Sequence, residues 1–546
     1  MIGEEPLMND KKIAVIAQCE ANGVSAIRQY LDAIDVPQGY AVELIEVPFG
    51  GNVADTYQRA MEQSDAKYKV YLSPGSILLR LNFFEEMLRI FTQDPAIGVM
   101  GLVGTKQLST TGLIANSAVI HGRMLYTDDS AFRGENIEGD MEEVVVVSGD
   151  LIATQYDLPW RRDLFQSNAF VAEAQCIEFW RAGYRTVVPH QDEAWLLTDA
   201  QGRPCDEVSR ESFLDTYSAD IYPLVSIIIP TFERPHYFRL ALESVLAQTY
   251  RNLDIFITDN SHNTETAEMM RRDFSDDPRI HYEHPPSYGL VENWARARSY
   301  DNPNAVYVNW LMDDDLFMPD KIALMMDAFF AHPDLSIVTS YRECIDANGN
   351  KLPDISSTKP IAQEATKFNG EEIGTAILTH MTNFIGEPTT ALLRKEFLLD
   401  GHDLGFSGKE GKYHISDFPT WLRLLGQGNM MYFPTPLSKF RMHKGNDQLR
   451  YKTQIYGFIC WALTIREVIE RNEYLHDLNT RRKTIAQWLC TAGHIFRIAT
   501  MIPEVWEETE FHDFLCVFAG MSEALQNDCR IDFAIDTSLV LQMDEG

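Results

Sequence analysis

The stretch VYLSPGSILLRLNFFEEMLRIFTQDPAIGVMG, beginning at Val70, reappears in pattern as VNWLMDDDLFMPDKIALMMDAFFAHPDLSIVTS, beginning at Val308. Each copy runs from an apolar strand through a turn into an amphipathic helix and on to a second apolar run, with Asp94-Pro95 set against His332-Pro333. A supersecondary pattern that recurs within one chain predicts a duplicated domain. The surroundings of the two copies agree. KIAVIAQCE from Lys12, a helical segment near 24–34 and YAVELIEVP from Tyr40 lead to a helix near 53–64 and the strand KYKVYLS. Later, LVSIIIP, YFRLALESVLAQ, LDIFITD, ETAEMMRRDF, RIHYEH and AVYVNWL again alternate strand with helix. Such alternation predicts α/β architecture, with a mostly parallel sheet covered on both faces.

At 546 residues the chain exceeds what one hydrophobic core serves. It divides into a domain over 1–205, a polar linker over 206–222, a second domain over 223–450 and a helical region over 451–546. In that last region GFICWALTIREVIERN and RRKTIAQWLCTAGHIFRIAT carry apolar stripes of helical period, as core or packing faces do. They predict a helical appendage whose exposed faces would suit a homodimer. No run approaches the roughly 20 apolar residues of a membrane span, and MIGEEPLMNDKK lacks the apolar centre of a signal peptide. The eight cysteines are scattered without a C-x-x-C pair, which fits reduced thiols in the cytoplasm. The expected location is therefore cytoplasmic, with peripheral contact at the inner face of a membrane. A net charge of -33 disfavours nucleic acid as a partner.

The second copy differs from the first in its turn. Asp313, Asp314 and Asp315 stand together where the first copy has Pro74-Gly75-Ser76, with a one-residue gap in the match. Adjacent carboxylates repel and are poorly tolerated near a core unless something positive sits among them. At the C-terminal end of a strand they would lie in the crevice where open α/β sheets bind ligands. Hard oxygen donors there suit Mg²⁺ or Mn²⁺, which complete their shells with substrate phosphates and water. The competing account is a helix start, since acidic residues before Pro319 would also interact well with the helix dipole.

Three ordered blocks carry a family resemblance: VSIIIPTFERPHYFRLALESVLAQTYRNLDIFITDNS, VNWLMDDDLFMPD and DFPTWLRLLGQGNMMYFPTPLSKFRMH. Over roughly 222–450 the chain resembles a family 2 glycosyltransferase of the GT-A fold. The resemblance implies two GT-A-like domains in tandem, the first degenerate and lacking the acidic motif, plus the C-terminal helices. It also implies a nucleoside-diphosphate sugar donor, with a UDP-sugar favoured, Mn²⁺ or Mg²⁺ as cofactor, and inverting transfer to an acceptor hydroxyl. The acceptor is left open among a saccharide, a lipid-linked sugar and a protein.

By the same resemblance, the loop Pro230-Thr231-Phe232-Glu233-Arg234 cradles the nucleotide, with Thr231, Phe232 and Glu233 as its expected contacts, although the common motif has Asn where Glu233 stands. Asp259 is similar to the residue that bonds the base; its alternative is an Asx turn with Asn260 and Ser261. Asn293 and Arg296 approach the nucleotide, and Asp313 faces ribose and metal. Asp314 is the first choice for the metal, with Asp315 and His443 beside it. Asp417 resembles the general base, a role compatible with capping the helix that follows, and Glu387 in NFIGEPTT is a second carboxylate on the acceptor side. A sugar nucleotidyltransferase would need a Gly-rich basic loop after the first strand, and neither AQCEANGVS nor PTFERPH is one. A non-catalytic binding role is the remaining alternative, and for the first half it is the preferred account.

Overall fold

The computed structural model describes residues 8–535 and 537, apart from 20–27, 29, 129, 166, 200–205, 399–416 and 444–450. It forms two compact units, Met1–Tyr222 and Pro223–Gly546. In the first, strands line up in the order Ala41–Pro48, Asn9–Cys19, Ala66–Leu72, Leu151–Thr154, Ile97–Gly101, Arg185–Pro189, Met141–Val144. In the second the order is Ile280–Glu283, Leu253–Asp259, Leu224–Thr231, Ala305–Trp310, Leu392–Arg394, Leu335–Ile345, Asn429–Arg441, Leu316–Phe317. From Ala41–Pro48 and from Leu253–Asp259 onward six strands of the two orders correspond in turn, which is the duplication read from the repeated pattern; the outermost strands, Met141–Val144 and Leu316–Phe317, come from different parts of the two copies. Leading strands pair parallel, and the short strands Leu151–Thr154 and Leu392–Arg394 run antiparallel between parallel neighbours, so each sheet is mixed.

Local sequence sets these elements. The adjacent residues Ala14, Val15 and Ile16, and likewise Ile227, Ile228 and Ile229, are wholly buried, as strands covered on both faces require. Asn52 starts the helix Val53–Gln63 by accepting from the Asp55 N–H at 3.0 Å, and Pro235 stands in the first turn of the helix Pro235–Leu246. The short strands Ile77–Leu78 and Leu316–Phe317 each pair with an antiparallel partner, Leu196–Thr198 and Asn429–Arg441. Counting back from them sets Pro74-Gly75-Ser76 against Asp313-Asp314-Asp315, and the extra residue falls between strand and triplet. Of the helical segment expected near 24–34, the described part is a 3-10 turn at Leu31–Ala33.

Two expectations are corrected. Residues 207–221, read as a linker, form the helix Glu207–Ile221, capped by Asp206. Phe213 and Tyr217, four residues apart, turn inward with Phe213 stacked 5.0 Å from Phe170; the polar letters around them hid this stripe. The C-terminal helices Tyr451–Glu470, Leu478–Met501 and Thr509–Ala524 are no appendage, because they share one core with the second sheet. Trp461 stacks on Phe418 at 4.0 Å, and a Cβ on Gly374 would come within 2.3 Å of the Tyr474 ring. Among the described residues, no helix is long and apolar enough to cross a membrane.

Candidate active site

The C-terminal ends of the strands Leu224–Thr231 and Ala305–Trp310 bring two sequence blocks together. Asp313 Oδ2 accepts from Thr231 Oγ1 at 2.9 Å and from the Phe232 N–H at 3.4 Å. Arg234, just before the helix Pro235–Leu246, places Nη1 3.2 Å from both Asp313 Oδ1 and Asp314 Oδ2. His443 Nε2 lies 2.9 Å from the same Asp314 Oδ2, and its ring packs 5.4 Å from Tyr237. Burial, then repulsion from Asp314, pushes the Asp313 carboxyl up, and Arg234 opposes that shift. The positive charge that the triplet demands is thus met in part by an arginine.

The third aspartate does different work. Asp315 is 1% exposed, with Oδ1 accepting from the Arg441 N–H at 3.0 Å and Oδ2 from Thr389 Oγ1 at 2.7 Å. Its carboxyl is pushed well up by burial and then by Asp314. Both oxygens tie the triplet to the segment 386–390 and the last strand, so the metal role expected of Asp315 does not fit. Among the described residues, no group of three His, Cys, Asp or Glu side chains could hold a metal. Asp314 and His443 remain as a two-donor set, which suits an ion that takes few protein ligands and fills its shell with diphosphate and water.

Several expected nucleotide contacts are occupied within the protein. Asp259 is wholly buried, its Oδ1 accepting from the Ser261 N–H at 2.9 Å and its Oδ2 from the Tyr282 hydroxyl at 2.7 Å. That is the Asx turn, and it leaves no carboxylate facing a base. Asn293 is 2% exposed and accepts from Thr258 Oγ1 at 2.7 Å while donating to the Thr258 carbonyl at 3.3 Å, so it braces a strand end. Arg296 pairs with Glu283 at 2.5 Å and covers the Phe256 ring at 4.7 Å, fastening its helix to the sheet edge. Glu233 adopts φ +49°, its N–H donates to Ser261 Oγ at 2.7 Å, and its carboxylate lies 3.4 Å from His262. The left-handed backbone accounts for an Asn at this place in the common motif, since Asn tolerates that region better than Glu.

On the acceptor side, Asp417 opens the helix Asp417–Leu425. Its Oδ1 accepts from the Phe418 N–H at 2.7 Å and its Oδ2 from Asn383 Nδ2 at 3.2 Å. Burial pushes its carboxyl up to about 6, with a contribution from Glu387. Glu387 forms an ion pair with Arg342 Nε at 2.8 Å, both side chains being nearly buried. Gly386 has φ +104°, and a Cβ there would lie 2.7 Å from Arg342 Cζ; its carbonyl accepts from Trp421 Nε1 at 2.9 Å. Arg234 belongs to the loop expected to cradle the nucleotide, and the fold carries it to the acidic turn about 80 positions away. Asn383 and Arg342 were missed as site residues, because nothing in the linear pattern joined Asn383 to Asp417 or Arg342 to Glu387.

In the first unit the equivalent turn carries hydroxyls in place of carboxylates. Ser73 Oγ lies 2.8 Å from Ser76 Oγ, which lies 3.3 Å from Thr198 Oγ1. Gly75 has φ +69°, a conformation that disfavours the aspartate found at its counterpart.

Residues 14–217 match the family described as "Glycosyltransferase like family", and residues 226–400 match "Glycosyl transferase family 2". An uncharacterized glycosyltransferase of Rickettsia typhi is 26% identical over 276 residues, covering 48% of this chain and 80% of its own length. One of Rickettsia conorii is 27% identical over 257 residues, and the match spans 46% of this chain but only 39% of that relative's length. The chondroitin synthase of Pasteurella multocida is 24% identical over 158 residues, covering 29% of this chain and 15% of its own. Among solved structures, S. aureus TarS matches 56% of this chain and 50% of its own at 12% identity and a TM-score of 0.39.

Proposed function

From the premise that this chain is a tandem of two glycosyltransferase domains, the second of family 2, we propose that the second unit transfers a sugar from a nucleoside-diphosphate donor to an acceptor hydroxyl, with inversion. The observation that carries the reading is the gathering of Asp313, Asp314, Arg234 and His443 at the strand ends, with Asp315 of the same triplet bonded to Thr389 in the segment whose Glu387 acts on Asp417. Thr231 and the Phe232 N–H hold Asp313 toward the donor side, and Arg234 supplies positive charge beside the leaving diphosphate. Asp417 takes the proton of the acceptor hydroxyl as its oxygen bonds to the anomeric carbon and the bond from that carbon to the phosphate oxygen breaks. Its raised pKa, about 6, makes it a better base than an exposed aspartate while leaving it ionised near neutrality.

A divalent cation, Mn²⁺ or Mg²⁺, held by Asp314 and His443 would neutralise charge on the diphosphate. A UDP-sugar is the favoured donor. A growing saccharide is the favoured acceptor, supported by the names of the chondroitin and hyaluronan synthases among the relatives. The first unit, with Pro74-Gly75-Ser76 in place of the triplet, orients the acceptor without catalysing transfer. The scattered cysteines support work in the cytoplasm. Calorimetric titration of UDP, GDP, CDP and dTDP with and without Mn²⁺, on wild type and Asp314→Ala, tests the donor site. One nucleotide should bind with metal and lose that binding in the variant, and failure of all four would overturn the reading.

A further inference from the structure

Asp314 Oδ2 has two close partners, Arg234 Nη1, which donates to it at 3.2 Å, and His443 Nε2, 2.9 Å away. Arg234 Nη1 also reaches Asp313 Oδ1 at 3.2 Å, so one guanidinium nitrogen sits between the two carboxylates. A cation seated on Asp314 Oδ2 and that nitrogen compete for the same lone pairs and repel each other, and both cannot stay. The mobile partner is the arginine. Its side chain is 36% exposed, against 9% for Asp313 and 15% for Asp314. By contrast, the Asp313 carboxylate is anchored by Thr231, and the Asp314 backbone carbonyl is held by Arg441 Nε at 2.7 Å.

We propose that Arg234 is a donor-binding residue that exchanges partners: in the free protein it holds the cation's seat between Asp313 and Asp314, and on cation entry its guanidinium turns to the donor diphosphate. The planar guanidinium offers paired N–H donors that match phosphate oxygens, so the displaced charge finds a stronger partner than solvent. Cation and nucleotide then favour each other, because the nucleotide takes up the arginine that opposed the cation. This rests on the reading of the second unit as a nucleotide-sugar site.

The test uses Mn²⁺ alone, with free ion counted by electron paramagnetic resonance, on wild type, Arg234→Gln and Arg234→Lys. Each is first shown to unfold cooperatively. Without nucleotide, Arg234→Gln should bind Mn²⁺ about tenfold more tightly than wild type, as expected when a competing charge is removed. At saturating Mn²⁺ the same variant should bind the selected nucleoside diphosphate about tenfold more weakly, with Arg234→Lys between the two. Unchanged or weaker Mn²⁺ binding by Arg234→Gln, with wild type still binding a nucleotide, would overturn the exchange and leave the donor site standing. Failure of wild type to bind UDP, GDP, CDP or dTDP with Mn²⁺ would overturn both.

Discussion

Asn383 Nδ2 donates to Asp417 Oδ2 at 3.2 Å and to the Gly386 carbonyl at 2.9 Å, so one amide orients the candidate base and closes the turn beside it. This contact favours the ionised carboxylate, while burial favours the protonated one, and burial wins.

Asp417 should therefore give the pH profile an acid limb near 6. The base acts when deprotonated, so kcat should fall about tenfold per pH unit below that value. Asn383→Ala should move the limb upward, since it removes a bond to the ionised form. Asp417→Asn should lose about 10²–10⁴-fold in kcat. A folded pKa above the unfolded one means that the ionised group costs stability, fully above about 6 and not at all below the unfolded value of 3.8. The Asn variant should thus be up to about 3 kcal/mol more stable at pH 8, with the gain fading toward pH 4. Kinetics and denaturation over pH check both halves, and an inactive variant whose stability relative to wild type is no greater at pH 8 than at pH 4 would refute the burial of a charged base.

The members of the triplet should separate by phenotype. Asp315→Ala strands the Thr389 hydroxyl and the Arg441 N–H, and should cost about 1–3 kcal/mol. Asp314→Ala should unfold cooperatively like wild type but lose Mn²⁺-dependent nucleotide binding. Denaturant melts paired with calorimetry decide this, and the opposite assignment of the two losses would refute it.

Gly386→Ala should destabilise the second unit by about 2–4 kcal/mol, because φ +104° strains an alanine and its Cβ meets Arg342. Arg342→Ala should cost about 3–5 kcal/mol by leaving Glu387 nearly buried without its ion-pair partner. Urea denaturation of each variant checks these values.

Glu233→Asn should stabilise the protein by about 0.5–1 kcal/mol, since the residue sits at φ +49° and Asn enters that region more readily. The readout is the thermal midpoint. No gain would mean that the contact between Glu233 and His262 offsets the strain.

The strand and helix alternation, the duplication and the acidic turn were all legible because they are local: each depends on residues within one helix or strand, or on a pattern repeated in full. The resemblance put Thr231 and Asp313 in one site, and the fold brings them into contact across 82 positions because Thr231 ends one of two neighbouring parallel strands and Asp313 follows the other. The linker over 206–222 was misread because its inward pair, Phe213 and Tyr217, is diluted by polar neighbours on the other face of the helix.

The sequence by itself determined which elements form and that two like domains follow one another, since periodic burial and turn chemistry act over a few residues. Only the tertiary structure decided what each carboxylate does. Asp313, Asp314 and Asp315 are chemically identical neighbours, yet Thr231, His443 and Thr389 reach them from different parts of the chain. The role of a charge is set by the donors that surround it after folding, and those donors are brought by elements whose meeting no local pattern encodes.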